Sequence, residues 1–134
     1  MLVYGRNVAK EILESKKFIN SIILQDGFSD KTILSLIEKR SLVPKVMNKK
    51  EKDAFAKYPH QGIILDIEDF KYAKLEDFIS SNDAKVMILD HLEDPHNLGA
   101  IIRTCEAAGF NGIVIPKNRS VGVNSTVVKT SVGA

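Results

Sequence analysis

Between Asp94 and Arg103 the chain reads Asp-Pro-His-Asn-Leu-Gly-Ala-Ile-Ile-Arg, which places groups able to hold an anion at helical spacing. The run follows Lys85-Val86-Met87-Ile88-Leu89-Asp90, an apolar stretch of parallel-strand type. In an open α/β sheet, ligands sit at the loop that leaves the C-terminal end of such a strand. Asn97 falls at or near the start of the next helix, where backbone N–H groups attract anions. Gly99 lets another backbone or a nucleotide approach the first turn closely. Leu98, Ile101, Ile102 and Cys105 stand at i, i+3, i+4 and i+7, so they form the buried stripe. Arg103 lies off that stripe, with its guanidinium available to a phosphate or a carboxylate. From geometry alone, a capped helix carrying a solvated arginine describes the same residues equally well. Glu93, Asp94 and His96 are close by, but none is singled out as a catalytic base, and His96 reads as a loop histidine in water. Cys105 reads as a small core residue.

A second group of residues is basic. Lys45, Lys49, Lys50, Lys52 and Lys57 form the densest cluster, and Arg6, Lys10, Lys16 and Lys17 another. Residues 1–67 carry a net charge of +4 and residues 68–134 one of −2, although the whole chain is only at +2. A basic half beside a mildly acidic one suits a polyanion on the basic side, and a solvated lysine surface is the plain alternative. Tyr4 and Tyr58 could stack on bases, with core or edge packing the commoner role. His60-Gln61-Gly62 either shapes a turn before the closing strand or contacts the bound polyanion.

The elements that must position these residues fall into two sets. In residues 1–67 a helix is expected from Arg6 to Ser15 and a β-branched strand from Phe18 to Leu24, closed by the turn signal Gln25-Asp26-Gly27. Ser29 or Asp30 caps a helix running to Lys39. Leu42 to Val46 reads as an edge strand because Pro44 cannot donate to a ladder. Asn48 caps a charged helix to Lys57, and Gly62 to Ile67 closes the unit as a buried strand. Strands alternating with helices predict a small α/β domain with a mixed or parallel sheet. Residues 68–83 read as a linker with a short helix at Leu75, Phe78 and Ile79. Residues 84–134 form a β-α-β unit whose helix ends at Gly109, whose second strand is Ile113-Val114-Ile115, and whose last helix is capped by Asn124 or Ser125.

With 134 residues, 44% of them hydrophobic and 27% charged, the chain is no disordered tail, fibre or coiled coil. No apolar run approaches the roughly 20 residues of a membrane-spanning helix. His60, His91 and His96 lack the paired spacing of a zinc site, and no metal is expected. One cysteine and no evident signal peptide suit the reducing cytoplasm. No glycine-rich dinucleotide fingerprint or P-loop occurs.

Taken in order, Val3-Tyr4-Gly5, His60-Gln61-Gly62, Asp94 to Arg103, Ile115 to Ser120, and Asn124 with Lys129 to Ala134 resemble the SpoU/TrmH RNA 2′-O-ribose methyltransferases across nearly the whole chain. The resemblance implies a small ribosomal-protein-like α/β sandwich that holds RNA (1–67), then a linker (68–83). The first part of a knotted SPOUT-type parallel-sheet domain would follow (84–134), with the knot itself missing. It implies that Arg103 engages the RNA phosphate and helps activate the ribose 2′-hydroxyl, and that Asn97 shapes the same site. RNA-binding residues on this reading are Arg6, Lys10, Lys45, Lys49, Lys50, Lys52, His60 and Gln61.

The cofactor implied is S-adenosyl-L-methionine, held in the family by later motifs that lie beyond Ala134. A polypeptide of these residues alone is therefore expected to be an inactive fragment. The implied partners are structured RNA, ribosomal RNA ahead of transfer RNA, and a second copy in the full-length protein, with no membrane. Two other readings stand beside this one: a non-enzymatic RNA-binding module, and a small-molecule α/β protein that takes an anion at the Asn97 helix terminus.

Overall fold

Ile63, Ile64 and Leu65 are consecutive and all at most 1% exposed. Successive strand residues point to opposite faces, so a strand with this pattern must be covered on both sides. It is β4 (Ile63–Ile67), an inner strand of a four-stranded sheet in the computed structural model, which describes residues 1–79 and 81–131. The chain divides into two units, Met1–Asp69 and a second that begins at Phe70.

The first unit runs β1 (Leu2–Tyr4), α1 (Arg6–Glu14), β2 (Ile19–Leu24), α2 (Lys31–Lys39), β3 (Lys45–Val46), α3 (Lys49–Phe55) and β4. The sheet order is β1-β4-β2-β3. β4 is antiparallel to β1, with Leu65 opposite Val3, and to β2, with Leu65 opposite Ile22. β3 adds in parallel to β2, so the sheet is mixed. Val8, Ala9, Ile12 and Leu13 of α1 and Ile33 and Ile37 of α2 are buried at helical spacing. Asp30, not Ser29, caps α2 by accepting the Ile33 N–H at 3.1 Å. Asn48 and Glu51 form a reciprocal capping box on α3, with both bonds 2.9 Å. The expected edge strand shrinks to Lys45–Val46, because Pro44 and the turn at Ser41 (φ 54°) withhold the preceding residues from the ladder. β1 is a strand that periodicity over three residues could not reveal.

Arg40 ties α1 to the rest of this unit. Its guanidinium donates to the carbonyls of Ile12 (3.2 Å), Ser15 (3.4 Å) and Lys17 (2.8 Å), at and just beyond the end of the helix, where intrahelical donors run out. Hydrogen bonds from a charged donor contribute more than neutral ones, and half-buried carbonyls lose solvation when the donor goes. Arg40→Ala is expected to destabilise the first unit by about 2 kcal/mol, readable as a shift of the urea midpoint without a change in slope.

The amino terminus is held as well. Its ammonium group donates to the Ile67 carbonyl at 2.7 Å and pairs with Asp69 at 3.1 Å and Asp66 at 3.3 Å. The hydrogen bond to Asp69, opposed by partial burial and aided by Asp66, raises the amine's pKa above its ordinary 8.0. A group whose folded pKa is raised stabilises fully below its unfolded value and loses that contribution as pH rises through the folded one. Because Asp69 is almost fully exposed, the contribution is screened to about 0.5 kcal/mol. Stability is therefore expected to fall by that amount as pH rises above about 8. An N-acetylated chain should lack this fall, which paired denaturation curves would show.

In the second unit a single 3-10 turn, Leu75–Asp77, stands where a short helix was expected. Phe78 is drawn out of helical register instead, its ring filling the space beside Gly112 where any side chain would stand. The remaining elements are β5 (Val86–Ile88), α4 (Pro95–Ala107), β6 (Gly112–Val114) and α5 (Ser125–Thr130). β5 and β6 pair in parallel with Met87 opposite Ile113, so β5-α4-β6 is a β-α-β unit. Gly109, at φ 72°, takes the left-handed conformation that ends α4. Leu98 and Cys105 of α4 and Val127 and Val128 of α5 are buried, while Ile88 is 74% exposed.

Candidate functional site

The strands β5 and β6 deliver two loops to one end of their sheet. Leu92, in the loop after β5, accepts the Val121 N–H at 2.7 Å and the Ser120 hydroxyl at 2.9 Å, both from the loop after β6. Each loop also holds a non-glycine residue at positive φ, His91 at 46° and Arg119 at 54°. Strained backbone of this kind persists where surrounding contacts fix it, and it concentrates at functional sites. The Val123 N–H donates to the Tyr72 hydroxyl at 2.9 Å, which anchors the second loop from the segment before β5.

Asp94 caps α4 by accepting the His96 N–H at 2.8 Å, and Pro95 occupies the first helical position. The terminus is thus served by the chain's own carboxylate and offers one donor fewer at Pro95. Asn97 is the third helical residue and is exposed. His96 is helical rather than in a loop: it is exposed, and its Nδ1 lies 3.3 Å from the Thr130 hydroxyl of α5. Gly99 is buried, and a Cβ there would stand 2.5 Å from Thr130 Cβ and 3.0 Å from the Val127 carbonyl. The neighbour whose approach Gly99 permits is therefore α5.

Arg103 is exposed on α4, with no hydrogen bond or ion pair among the described residues. Asn97 and Arg103 are separated by about 9 Å along the helix and about 120° around it. They do not touch, and they meet only through a ligand lying across the helix. Cys105 is buried, as its place on the apolar stripe requires. No buried side-chain polar atom among the described residues lacks a partner. The second unit thus holds no orphaned buried side-chain donor or acceptor among the described residues.

The first unit has a cleft of about 610 Å³, lined by Arg6, the turn Gln25 to Ser29, and Tyr58 to Gly62. Its two walls are joined where the Gln25 N–H donates to the Gly62 carbonyl at 2.8 Å. Arg6 binds Gln61 twice: its backbone N–H donates to Gln61 Oε1 at 2.8 Å and its Nε donates to the Gln61 carbonyl at 3.2 Å. The Arg6 guanidinium lies 5.4 Å over the Phe28 ring and 4.0 Å from Asp30. Gln61 itself is at φ 53°. Arg6, His60 and Gln61 therefore share one site. Lys10 is exposed on α1 one turn beyond Arg6, and Lys49, Lys50 and Lys52 are exposed on α3 with Lys45 just before it. The contacts described do not bring these lysines to the cleft.

Sequence reasoning missed Gln25 and Asp26, which read only as a turn, and Phe28, which it did not single out. The one available signal was an aromatic residue directly after Asp26-Gly27. Tyr58 is 48% exposed at the rim and rests against Tyr4 (centroids 5.3 Å) and Phe55 (6.3 Å).

A mixed-sheet unit with an arginine- and aromatic-lined cleft, followed by a β-α-β unit with a free arginine, defines a two-part α/β protein. Residues 2–73 match the family of RNA 2′-O ribose methyltransferase substrate-binding domains, and residues 84–134 match the SpoU rRNA methylase family. The chain belongs to the SpoU/TrmH family of RNA methyltransferases. It is 39% identical to the "Putative TrmH family tRNA/rRNA methyltransferase" of Staphylococcus haemolyticus and 37% identical to that of Staphylococcus epidermidis. Each match covers 100% of this chain and 57% of the relative.

Among solved structures it resembles the SpoU methyltransferase AviRb of Streptomyces viridochromogenes in complex with AdoMet. That match has 21% identity and a TM-score of 0.78, over 99% of this chain and 49% of that one. An AdoMet-bound rRNA methyltransferase from Sinorhizobium meliloti matches with 22% identity and a TM-score of 0.74, over 98% and 49%. At these identities the likeness shows the fold: a ribosomal-protein-like α/β unit and the first part of a SPOUT-type unit. The chain spans somewhat more than half the length of its curated relatives.

Proposed function

We propose that this chain is the RNA-holding and arginine-bearing part of an S-adenosylmethionine-dependent methyltransferase that modifies the ribose 2′-hydroxyl of structured RNA. The observation that carries the reading is Arg103. Within a motif shared with the family, on the helix that follows the β5 loop, it stands exposed and without a hydrogen bond or ion pair among the described residues. A ribose hydroxyl is a weak nucleophile and becomes reactive when a positioned charge favours its ionised form. In this reading Arg103 grips the neighbouring phosphate and supplies that charge. Asn97 holds the substrate across the first turn of α4.

Residues 1–67 hold the RNA through Arg6, His60 and Gln61 at the cleft and through Lys10, Lys45, Lys49, Lys50 and Lys52 on exposed surface. Such phosphate contacts give affinity without base specificity. In this reading S-adenosylmethionine is held by the part of the longer relatives that this chain does not cover. Ribosomal RNA is the favoured substrate ahead of transfer RNA, with a homodimer acting in the cytoplasm.

The test uses the protein at the length of its relatives, incubated with ribosomal and transfer RNA and methyl-labelled S-adenosylmethionine. Digestion and mass spectrometry should then find label in a 2′-O-methylnucleoside. Label on a base would overturn the ribose assignment, and RNA binding without any transfer would favour the non-enzymatic module.

A further inference from the structure

Resting on the RNA-holding reading, we infer that the first-unit cleft is a pocket for one unpaired nucleobase with a ring N–H between two carbonyls, as in uracil. The shape favours a single base over a duplex. Double-stranded RNA is held by shape across a wide, shallow groove, whereas splayed bases enter concave sites and stack on aromatic or guanidinium planes. A cleft of about 610 Å³ has the volume of a small-ligand site.

Two stacking planes are held firm there. Tyr58 is half-exposed and backed by Tyr4 and Phe55. The Arg6 guanidinium lies over Phe28, whose other neighbour is Gly62, where a Cβ would come within 3.0 Å of the ring.

The hydrogen-bonding groups are also committed in one sense. The Gly62 N–H donates to His60 Nδ1 at 3.0 Å, so the neutral imidazole must carry its proton on Nε2 and offer a donor. Gln61 Oε1 is taken by the Arg6 N–H, which leaves the amide NH₂ as a second donor. Asp26 lines the same cleft and supplies an acceptor. Two donors with one carboxylate match an edge that presents carbonyl oxygens next to a ring N–H. Adenine presents an amino group and ring nitrogens and fits this set poorly. Stacking alone tolerates any base, so discrimination between bases is the mark of this hydrogen-bonding set.

The experiment is fluorescence anisotropy on the chain with labelled oligouridylate, oligoadenylate and oligo-3-methyluridylate of about eight nucleotides, and a hairpin duplex. Oligouridylate should bind at least fivefold tighter than oligoadenylate, and blocking the ring N–H by methylation should remove that advantage. Tyr58→Leu is expected to weaken oligouridylate binding roughly tenfold. His60→Asn keeps an acceptor for the Gly62 N–H but deletes the Nε2 donor, and it should erase the preference for uracil while the fold is retained. Equal affinity for all single strands, or indifference to both substitutions, would overturn the pocket. If RNA were then still bound and were released by replacing Lys49, Lys50 and Lys52 with glutamine, the RNA-holding reading would survive without it. Failure to bind any RNA at low salt would overturn both.

Discussion

Arg103→Ala, in the protein at the length of its relatives, is expected to lower methyl transfer by about 10²- to 10³-fold, the usual cost of deleting one preorganised charge at a reacting oxygen. Arg103 is exposed and makes no hydrogen bond or ion pair among the described residues, so the fold should not register the change. Stability should stay within about 0.5 kcal/mol of the parent. RNA affinity should fall only slightly, because one phosphate contact among several is lost, and the salt dependence should flatten by about one unit of slope. The loss thus appears in kcat rather than KM, as for an interaction made only in the transition state. Arg103→Lys keeps the charge but loses the planar fork, and should recover only part of the rate. Single-turnover methylation of saturating RNA is the measurement. Parental turnover by the alanine variant would remove Arg103 from the chemistry and leave the motif a structural one.

Gly99→Val is expected to be the most damaging single change to the second unit, at about 3 kcal/mol. Replacing a helical glycine normally gains helix propensity, since glycine costs about 1 kcal/mol relative to alanine. Here the gain is overruled by space. A Cβ at position 99 would stand 2.5 Å from Thr130 Cβ and 3.0 Å from the Val127 carbonyl, both fixed parts of α5. α5 must move off α4, which opens the packing around Leu98 and Val127, each 1% exposed. Alanine should cost less than valine, because it lacks the branched methyls. Backbone amide spectra would locate the effect: resonances of α4 and α5 should broaden or shift while those of β1 to β4 stay in place. A stability unchanged by valine would mean that α5 sits further from α4 than described.

Much of the chain announced itself locally. The caps Asp30, Asn48 and Asn124 were readable because a short polar side chain before an apolar stripe has few other uses, whereas the last long helix starts at Asp94, earlier than the Asn97 start its sequence suggests. The buried strand at Ile63–Ile67 was readable because five nearly unbroken apolar residues cannot be solvated. The helix expected near Leu75 failed for a reason that local pattern could not carry. Phe78 gains more by covering Gly112, far away in sequence, than by completing a helical stripe. Arg40 carried no local signal because its acceptors, the carbonyls at and beyond the end of α1, come within reach only once two helices pack. Arg6, His60 and Gln61 could each be suspected singly, but neither their convergence on one cleft nor the share of Phe28 in it was visible.

By itself, then, the sequence determined the alternation of helices and strands, the caps, the split of charge between the halves, and the ordered motifs that mark the family. These depend on neighbours within a few residues, or on residue types in a fixed order. Only the tertiary structure decided that β1 and β4 pair, that Gly99 makes room for α5, and that His60 presents its Nε2 proton. Each of those rests on groups distant in the chain, and a side chain's donors and acceptors acquire a direction only after their partners have been placed around them.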